Sequence, residues 1–182
     1  PDCARTWQNL SNALLHAQRA DEALVANDRS LALREQLFGD RHNEYATALA
    51  GRAAILAALR RHDDALDFAD RALALLTQNG TGKGIIAANV QRTRVASLRQ
   101  LKRYDDALAA LDDATAIFTA YAAGDRARSA DLRGARALIH AAQGDAAGAH
   151  REAAEALAFD PTLAKCNAGD RDAIRRLAAA AD

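Results

Sequence analysis

The chain has 182 residues, of which 50% are hydrophobic and only 4% aromatic, so it can bury a sizeable core built mainly from small side chains. Its 24 Lys and Arg residues balance its 24 Asp and Glu residues, which argues against nucleic acid or an anionic membrane as partners. Two prolines, Pro1 and Pro161, and a charged fraction of 26% favour an ordered, all-helical protein.

The cysteines and the apolar segments exclude further classes of protein. Cys3 and Cys166 lie near opposite ends, outside any Cys-x-x-Cys or Cys/His cluster, so we predict neither a disulfide scaffold nor a zinc module. No apolar run of about 18 residues and no signal-like segment occurs, so we expect no membrane span and a cytoplasmic location. The sequence contains no Met, from which we expect a fragment or a processed product.

A repeat of 42 residues organises the chain. Segments 20–24, 62–66 and 104–108 are evident copies of one another, and a fourth copy falls at 144–149. Small side chains recur at fixed offsets from the alanines that mark the four copies, Ala23, Ala65, Ala107 and Ala149. Because small residues at helical spacing allow close helix approach, each copy is predicted to be two antiparallel helices.

Turn signals give the bounds of these elements in chain order. The predicted helix pairs span 4–37, 43–78, 84–121 and 126–158. An Asp begins each second helix, where the helix dipole favours an acid. A last amphipathic helix, Asp170 to Ala180, is predicted to cap the array with Ile174 and Leu177 on one side. The predicted domains are therefore 1–160, four repeats, and 161–182, the capping helix.

The pattern resembles the tetratricopeptide repeat. The matching positions are Trp7, Leu10, Ser11 and Leu14 in the first unit, and Gly144, Ala149, Ala156 and Pro161 in the fourth. The period is longer than the family's usual length of about 34 residues, and it is similar to the kinesin-light-chain type that is common in bacterial regulators. With 3 Lys against 21 Arg and many Ala, we also expect a high-GC bacterial source.

The resemblance implies a fold and a class of function. It implies an all-α, right-handed α-solenoid of four antiparallel helix pairs whose first helices line a concave groove. Such a groove binds a protein or peptide, and the resemblance implies neither catalysis nor a cofactor. We therefore predict a non-catalytic scaffold module within a larger bacterial regulatory or signalling protein. A structural spacer or a self-association module that uses the ends of the array is the alternative.

The repeat register gives candidate groove residues. The predicted partner-binding residues are Gln8, Asn9, Asn12, His16, Asn89, Arg92 and Arg99. Further groove-facing positions are Arg5 in the first unit, Thr47, Ala50, Gly51 and Ala54 in the second, Thr93 and Ala96 in the third, and Asp131, Gly134, Ala135 and Leu138 in the fourth. Amides and guanidiniums can bond a peptide backbone or a carboxylate, and small residues leave room for side chains. The interpretation is a partner with an acidic group; a solvated polar face remains the alternative.

Two other features leave alternatives open. Arg52, Arg94 and Arg136 recur at the repeat period, with Leu10 at the equivalent place in the first unit. They form either an anion-binding series or, more simply, ion pairs with acids of the neighbouring helix. Trp7 is predicted to lie in the core between paired helices, although its position at the first helix also fits a contact with an upstream segment.

Residues that could support catalysis or metal binding do not form known motifs. The segment 80–84 has Gly after Lys83, without the Ser or Thr of a phosphate loop, and is interpreted as a flexible connection. The histidines are scattered and the Asp-rich turns lack the regular oxygen spacing of a calcium loop. The cysteines have no predictable His partner. We therefore predict no metal site, no cofactor and no catalytic residue.

Overall fold

The computed structural model describes residues 2–122 and 124–180, and it is all-α over this part of the chain. The helices are α1 Asp2–His16, α2 Ala20–Phe38, α3 Asn43–Ala58, α4 His62–Gln78, α5 Ile85–Gln100, α6 Tyr104–Ala122, α7 Arg126–Gln143, α8 Ala146–Phe159 and α9 Ala168–Ala179. The predicted all-α fold class is confirmed. No helix among the described residues is long and apolar enough to span a membrane.

The helices divide into two compact units, residues 1–102 and 103–182. In the first unit α1 packs on α2 and α3 on α4, while α3 also contacts α2 and α5 contacts α4. In the second unit α7 pairs with α8, α6 contacts α7, and α9 packs on both α7 and α8. The predicted domain division at residue 160 stays a prediction.

A left-handed residue ends each first helix. Gln18, Arg60, Lys102 and Gly144 have φ values of 61°, 62°, 60° and 84°, at the repeat spacing. The residue after the turn closes it by donating its N–H back to the helix, as from Arg61 to the Leu56 carbonyl at 2.9 Å. This is the hydrogen bond of a Schellman C-cap. The left-handed φ therefore recurs in every repeat, although glycine supplies it only once.

Alanines hold the paired helices together. Ala23, Ala65, Ala107 and Ala149, predicted from the repeat, are each 0% exposed. A side chain without a Cγ allows neighbouring helix axes to approach closely, and leucines such as Leu56 and Leu98 fill the remaining space at 1% exposed. Because alanine and leucine fill the space between the helices, the core contains few aromatic residues, in agreement with the 4% aromatic content of the sequence.

The terminal helix α9 covers the last repeat as predicted, but it begins two residues earlier than expected. The Asn167 side chain caps it by accepting the Asp170 N–H at 2.8 Å. Ile174, at 1% exposed, packs in a core with Leu138 and Leu163. The apolar side of α7 and α8 is thereby removed from solvent.

Trp7 does not lie in the core as predicted. It is 37% exposed, and Leu10 on the same helix is 44% exposed. The buried residues of the α1–α2 pair include the small Ala4, Ser11 and Ala23 instead. The tryptophan therefore lies on an outer side of α1.

Candidate functional site: the first-helix surface

In the first unit the helices α1, α3 and α5 lie side by side, since α3 contacts both of the others. Residues at the repeat spacing then form rows across the three helices. Asn12 of α1 corresponds to Ala54 of α3 and Ala96 of α5, so one end of this row carries a hydrogen-bonding group and the rest is small. The surface of these three first helices is called the first-helix surface below.

The predicted site residues differ in exposure. Asn9, Asn12, His16 and Asn89 are exposed to solvent. Arg92 and Arg99 of α5 are half-buried, and each interacts with another group of the protein. The exposed amides and imidazole are thus accessible to a partner, whereas the two guanidiniums are already held in place.

Gln8 lies beneath this surface. It is 7% exposed, and its Nε2 donates to Asn12 Oδ1 at 3.3 Å. A Cβ at Gly51 of α3 would lie 2.7 Å from the same Nε2, so glycine makes room for the Gln8 amide where α1 meets α3. The contact makes Gln8 a positioning residue for the Asn12 side chain.

Threonine hydroxyls predicted for the groove are turned toward their own helices. Thr47 Oγ1 donates to the Asn43 carbonyl at 2.9 Å, and Thr93 Oγ1 donates to the Asn89 carbonyl at 3.3 Å. Arg5 forms an exposed ion pair with Asp2 at 3.0 Å. Exposed ion pairs of this kind contribute little to stability, so Arg5 can exchange its partner.

In the fourth repeat, the space predicted beside Gly134 is filled. A Cβ at Gly134 would lie 2.4 Å from Ile174 Cδ1, and Leu138 is only 9% exposed in the same core. The prediction of an open, small-residue floor is therefore wrong for Gly134 and Leu138. The physical reason is that α9 covers α7 as a further first helix would.

The repeated arginines form ion pairs with the preceding second helix, as the simpler interpretation predicted. The pairs are Arg52 with Asp28, Arg94 with Asp70, and Arg136 with Asp112. Arg52 also lies over the Phe68 ring, 4.9 Å from its centroid. Because each guanidinium already has a carboxylate, these arginines do not form an anion-binding series.

The second unit contains a cavity of about 490 Å³ beside α6, α7 and α8, which sequence reasoning missed. Arg128 stacks on Phe118, with 4.3 Å to the ring centroid, and Arg133 lies 3.0 Å from Glu152 Oε2. These residues are not adjacent in sequence and share no motif, so only the packing brings them together. The carboxylates neutralise the cations, and the cavity therefore defines no charged ligand.

Asp125, at the edge of this cavity, is the N-cap of α7. Its carboxylate accepts the Arg128 N–H at 2.9 Å and a hydrogen bond from Lys165 Nζ at 3.1 Å. These bonds, the backbone one first, lower the pKa of Asp125 to about 2. The bonds stabilise the charged form and hold the start of α7 next to the segment before α9.

Among the described residues no group of three or more His, Cys, Asp or Glu side chains could hold a metal ion. Of the two cysteines, Cys3 is exposed and Cys166 is half-buried. In the segment 80–84, Thr81 Oγ1 donates to the Leu76 carbonyl at 3.1 Å and also contacts Asn43 Oδ1 at 3.2 Å, so the connection is tied to α3 and α4.

These features define a helical-repeat protein. The sequence model of the tetratricopeptide repeat matches residues 2–78, so the predicted resemblance to that family is confirmed over this part of the chain. No curated protein sequence matches the chain. Repeats of this family commonly act as protein-interaction scaffolds.

Solved structures share the fold across nearly the whole chain. The crystal structure of BtubC (BKLC) from P. vanneervenii is 17% identical with a TM-score of 0.73, covering 93% of this chain and 70% of that one. A putative kinesin light chain with nearly identical TPR-like repeats from Podosopora anserina is 13% identical with a TM-score of 0.72, covering 95% of this chain and 82% of that one. At these identities the comparison shows the fold alone.

Proposed function

We propose that this chain is a non-catalytic scaffold that binds a protein or peptide on the first-helix surface. The carrying observation is that α1 and α5 present polar groups on either side of α3, whose facing residues Ala50 and Ala54 are small. The predicted room at Gly51 is not open, because the Gln8 and Asn27 amides lie there. A row of donors flanking a shallow, small-residue strip suits an extended or helical peptide segment. We further propose a cytoplasmic location and a larger bacterial regulatory or signalling protein as the context.

The proposed contacts follow from the exposure of each side chain. Asn9, Asn12 and His16 on α1 and Asn89 on α5 would bond the peptide backbone. Arg92 and Arg99 would add a charge-assisted bond to an acidic side chain, which favours a partner with at least one carboxylate. Gln8 would act indirectly, since its amide holds Asn12.

A displayed peptide library tests this proposal without knowledge of the natural partner. Peptides selected on the wild-type chain would be measured by fluorescence anisotropy against the Asn12→Ala/Arg92→Ala variant. We expect a loss of affinity of about tenfold or more, the free energy of one or two hydrogen bonds to charged or amide groups. The melting temperature should not fall.

The matched control is Gln78→Ala/Arg151→Ala, which removes one amide and one guanidinium from exposed positions on the second helices α4 and α8. This control should bind the selected peptides as the wild type does. Equal affinity in both double variants, or a library that yields no binder, would contradict the proposal.

A further inference from the structure

The cavity beside α6, α7 and α8 contains charged groups where the first unit has apolar packing. Arg133 and Glu152, which line the cavity, correspond to Leu49 and Phe68 two repeats earlier. Leu49 is 2% exposed and Phe68 is half-buried, so apolar side chains occupy this place in the first unit. In the second unit the place is open, with a volume of about 490 Å³ that is within the range of small-molecule sites.

One end of the cavity has a surplus of positive charge. The Asp125 carboxylate accepts hydrogen bonds from Arg128 Nε at 3.2 Å and from Lys165 Nζ at 3.1 Å, so two cations share one carboxylate. The Arg128 guanidinium also stacks on Phe118, with 4.3 Å to the ring centroid, and this contact holds its plane. Its two terminal nitrogens have no hydrogen-bond partner among the described residues.

These terminal nitrogens define the group that binds at the positive end. A guanidinium that is held at Nε and on one face keeps two parallel N–H donors, which match the two oxygens of a carboxylate. The residue equivalent to Arg128 in the first unit is the acid Glu44, which pairs with Arg34 at 3.1 Å. The donor pair at this place therefore belongs to the second unit.

The other end of the cavity has a surplus of negative charge. Arg133 Nη1 lies 3.0 Å from Glu152 Oε2 and 2.5 Å from Glu155 Oε2, so two carboxylates share one cation. The Glu152 side chain is 13% exposed, so solvent screens its charge only partly. Arg136 is balanced by Asp112 and adds to neither surplus. An ammonium group would complete the balance at the Glu152 end.

The distance between the two ends selects the length of the ligand. Arg128 and Arg133 are five residues apart on α7, which corresponds to a rise of about 7.5 Å along the helix. Two residues of extended chain span about 7 Å. The ammonium group and the carboxylate of a free dipeptide therefore match the two ends, whereas those of a single amino acid are too close together.

Apolar side chains complete the lining. Leu132, which lies between Arg128 and Arg133 in the sequence, lines the cavity and is 6% exposed. Phe159 lines it as well, with its ring centroid 5.4 Å from the guanidinium carbon of Arg133. These surfaces favour apolar side chains on the ligand, because contact removes apolar area of both from water.

From these observations we propose that the cavity binds a free dipeptide with apolar side chains. Its carboxylate accepts from the terminal nitrogens of Arg128, and its ammonium group donates to Glu152 and Glu155. A dipeptide has no net charge, in agreement with the overall balance of the lining. The site lies in the second unit, away from the first-helix surface, so this proposal is independent of the function proposed above. The expected dissociation constant is on the order of 10–100 µM for a ligand of this size.

Isothermal titration calorimetry with leucyl-leucine tests the proposal. We expect saturable binding with one site per 19.4 kDa chain. N-acetylation or C-terminal amidation of the dipeptide should each weaken binding by about tenfold or more, because each removes a charge-assisted hydrogen bond. Free leucine should also bind at least about tenfold more weakly, since it cannot reach both ends.

The deciding variant is Arg133→Leu/Glu152→Phe, which introduces the residues of the first unit, Leu49 and Phe68, and fills the cavity. It should keep its helical circular dichroism and lose dipeptide binding. If this variant does not fold, Arg128→Gln decides, with an expected loss of about tenfold or more from removal of the donor pair.

The matched control for Arg128→Gln is Arg71→Gln. Arg71 also stacks on a phenylalanine, 5.1 Å from the Phe68 centroid, but lies on α4 in the first unit. This variant should bind leucyl-leucine as the wild type does. The Asn12→Ala/Arg92→Ala variant should do so too, which separates dipeptide binding from recognition on the first-helix surface.

Three outcomes would overturn the proposal. The first is no binding of leucyl-leucine up to about 5 mM, far above the expected constant. The second is equal affinity for the free dipeptide and its two blocked forms, which would mean that the charged ends are not recognised. The third is wild-type affinity in Arg133→Leu/Glu152→Phe or in Arg128→Gln, which would place the dipeptide outside this cavity.

Discussion

Asp70 of α4 and Arg94 of α5 join consecutive repeats, with 2.8 Å between Asp70 Oδ1 and Arg94 Nε. The same link recurs one repeat earlier between Asp28 and Arg52, in the first unit, and within the second unit between Asp112 and Arg136. The 42-residue period of the sequence is thus also the period of an ion pair that ties each second helix to the first helix that follows it.

This link makes a modest contribution to stability. Asp70 is 59% exposed, so solvent screens the pair, while Arg94 Nη1 also donates to the largely buried Gln91 at 2.8 Å. We expect Arg94→Ala to lower the free energy of unfolding by about 1 kcal/mol in urea titrations. Arg175→Ala, whose guanidinium lies 3.9 Å from Asp172 on the surface, should leave it unchanged. Equal losses in both variants would argue against the link.

The alanines between helices are intolerant of larger side chains. Ala65 and Ala107 are fully buried, so Ala65→Leu or Ala107→Leu should overpack a helix crossing and cost about 1–3 kcal/mol. The exposed Ala74 of α4 gives a control, since Ala74→Leu has the same change in volume without the burial. Chemical denaturation would measure all three. Unchanged stability at Ala65 would show that the repeat register is misassigned.

The left-handed turn position distinguishes glycine from other residues. At Gly144 a Cβ would be strained at φ 84°, so Gly144→Ala should cost about 1 kcal/mol. Arg60 already has this strain at φ 62°, so Arg60→Gly should not destabilise the chain and should gain up to about 1 kcal/mol. Thermal unfolding of the two variants should give opposite shifts; shifts of the same sign would contradict the role of the turn.

Gly134 and Ile174 should be energetically coupled. Ile174→Val alone should cost about 0.5–1.5 kcal/mol, as for other buried isoleucines. In the Gly134→Ala background the same change removes the Cδ1 atom that the new Cβ would meet at 2.4 Å, so its cost should disappear. A double-mutant cycle by urea denaturation measures this coupling, and strict additivity would mean that α9 does not pack on α7 as described.

The Asp125 carboxylate should make stability depend on pH in the acid range. Its pKa is lowered to about 2 in the folded chain, so its bonds stabilise the fold fully above the ordinary pKa of 3.8. This contribution is lost as the pH falls from about 4 through about 2.

Asp125→Asn should remove that part of the pH dependence, because an amide does not titrate but can still accept the Arg128 N–H. Carbon-detected NMR of the Asp125 carboxyl would give its pKa, and melting temperatures at a series of pH values would give the slope. The same slope in both proteins would show that other groups cause it.

Much of the fold could be predicted from the sequence because its signals are local and repeated. Helical spacing, small residues at fixed offsets and turn residues at a constant period gave the helix pairs and the buried Ala23, Ala65, Ala107 and Ala149. The ion pairs of Arg52, Arg94 and Arg136 could also be predicted. These arginines recur at the period of the helices, so each has an acid of the preceding second helix within reach. These features depend on neighbours along the chain, such as the acid that lies 24 residues before Arg52 and before Arg136.

The tertiary structure decided the burial of residues near the ends of the array and the contacts that do not recur from repeat to repeat. Trp7 matches a core position of the repeat, yet it is exposed because nothing in the described chain covers that side of α1. Gly134 matches an open position, yet Ile174 of α9 fills its space. Repeat register predicts the residue's place on its helix, but burial depends on which neighbour is present, and only the packed structure shows that.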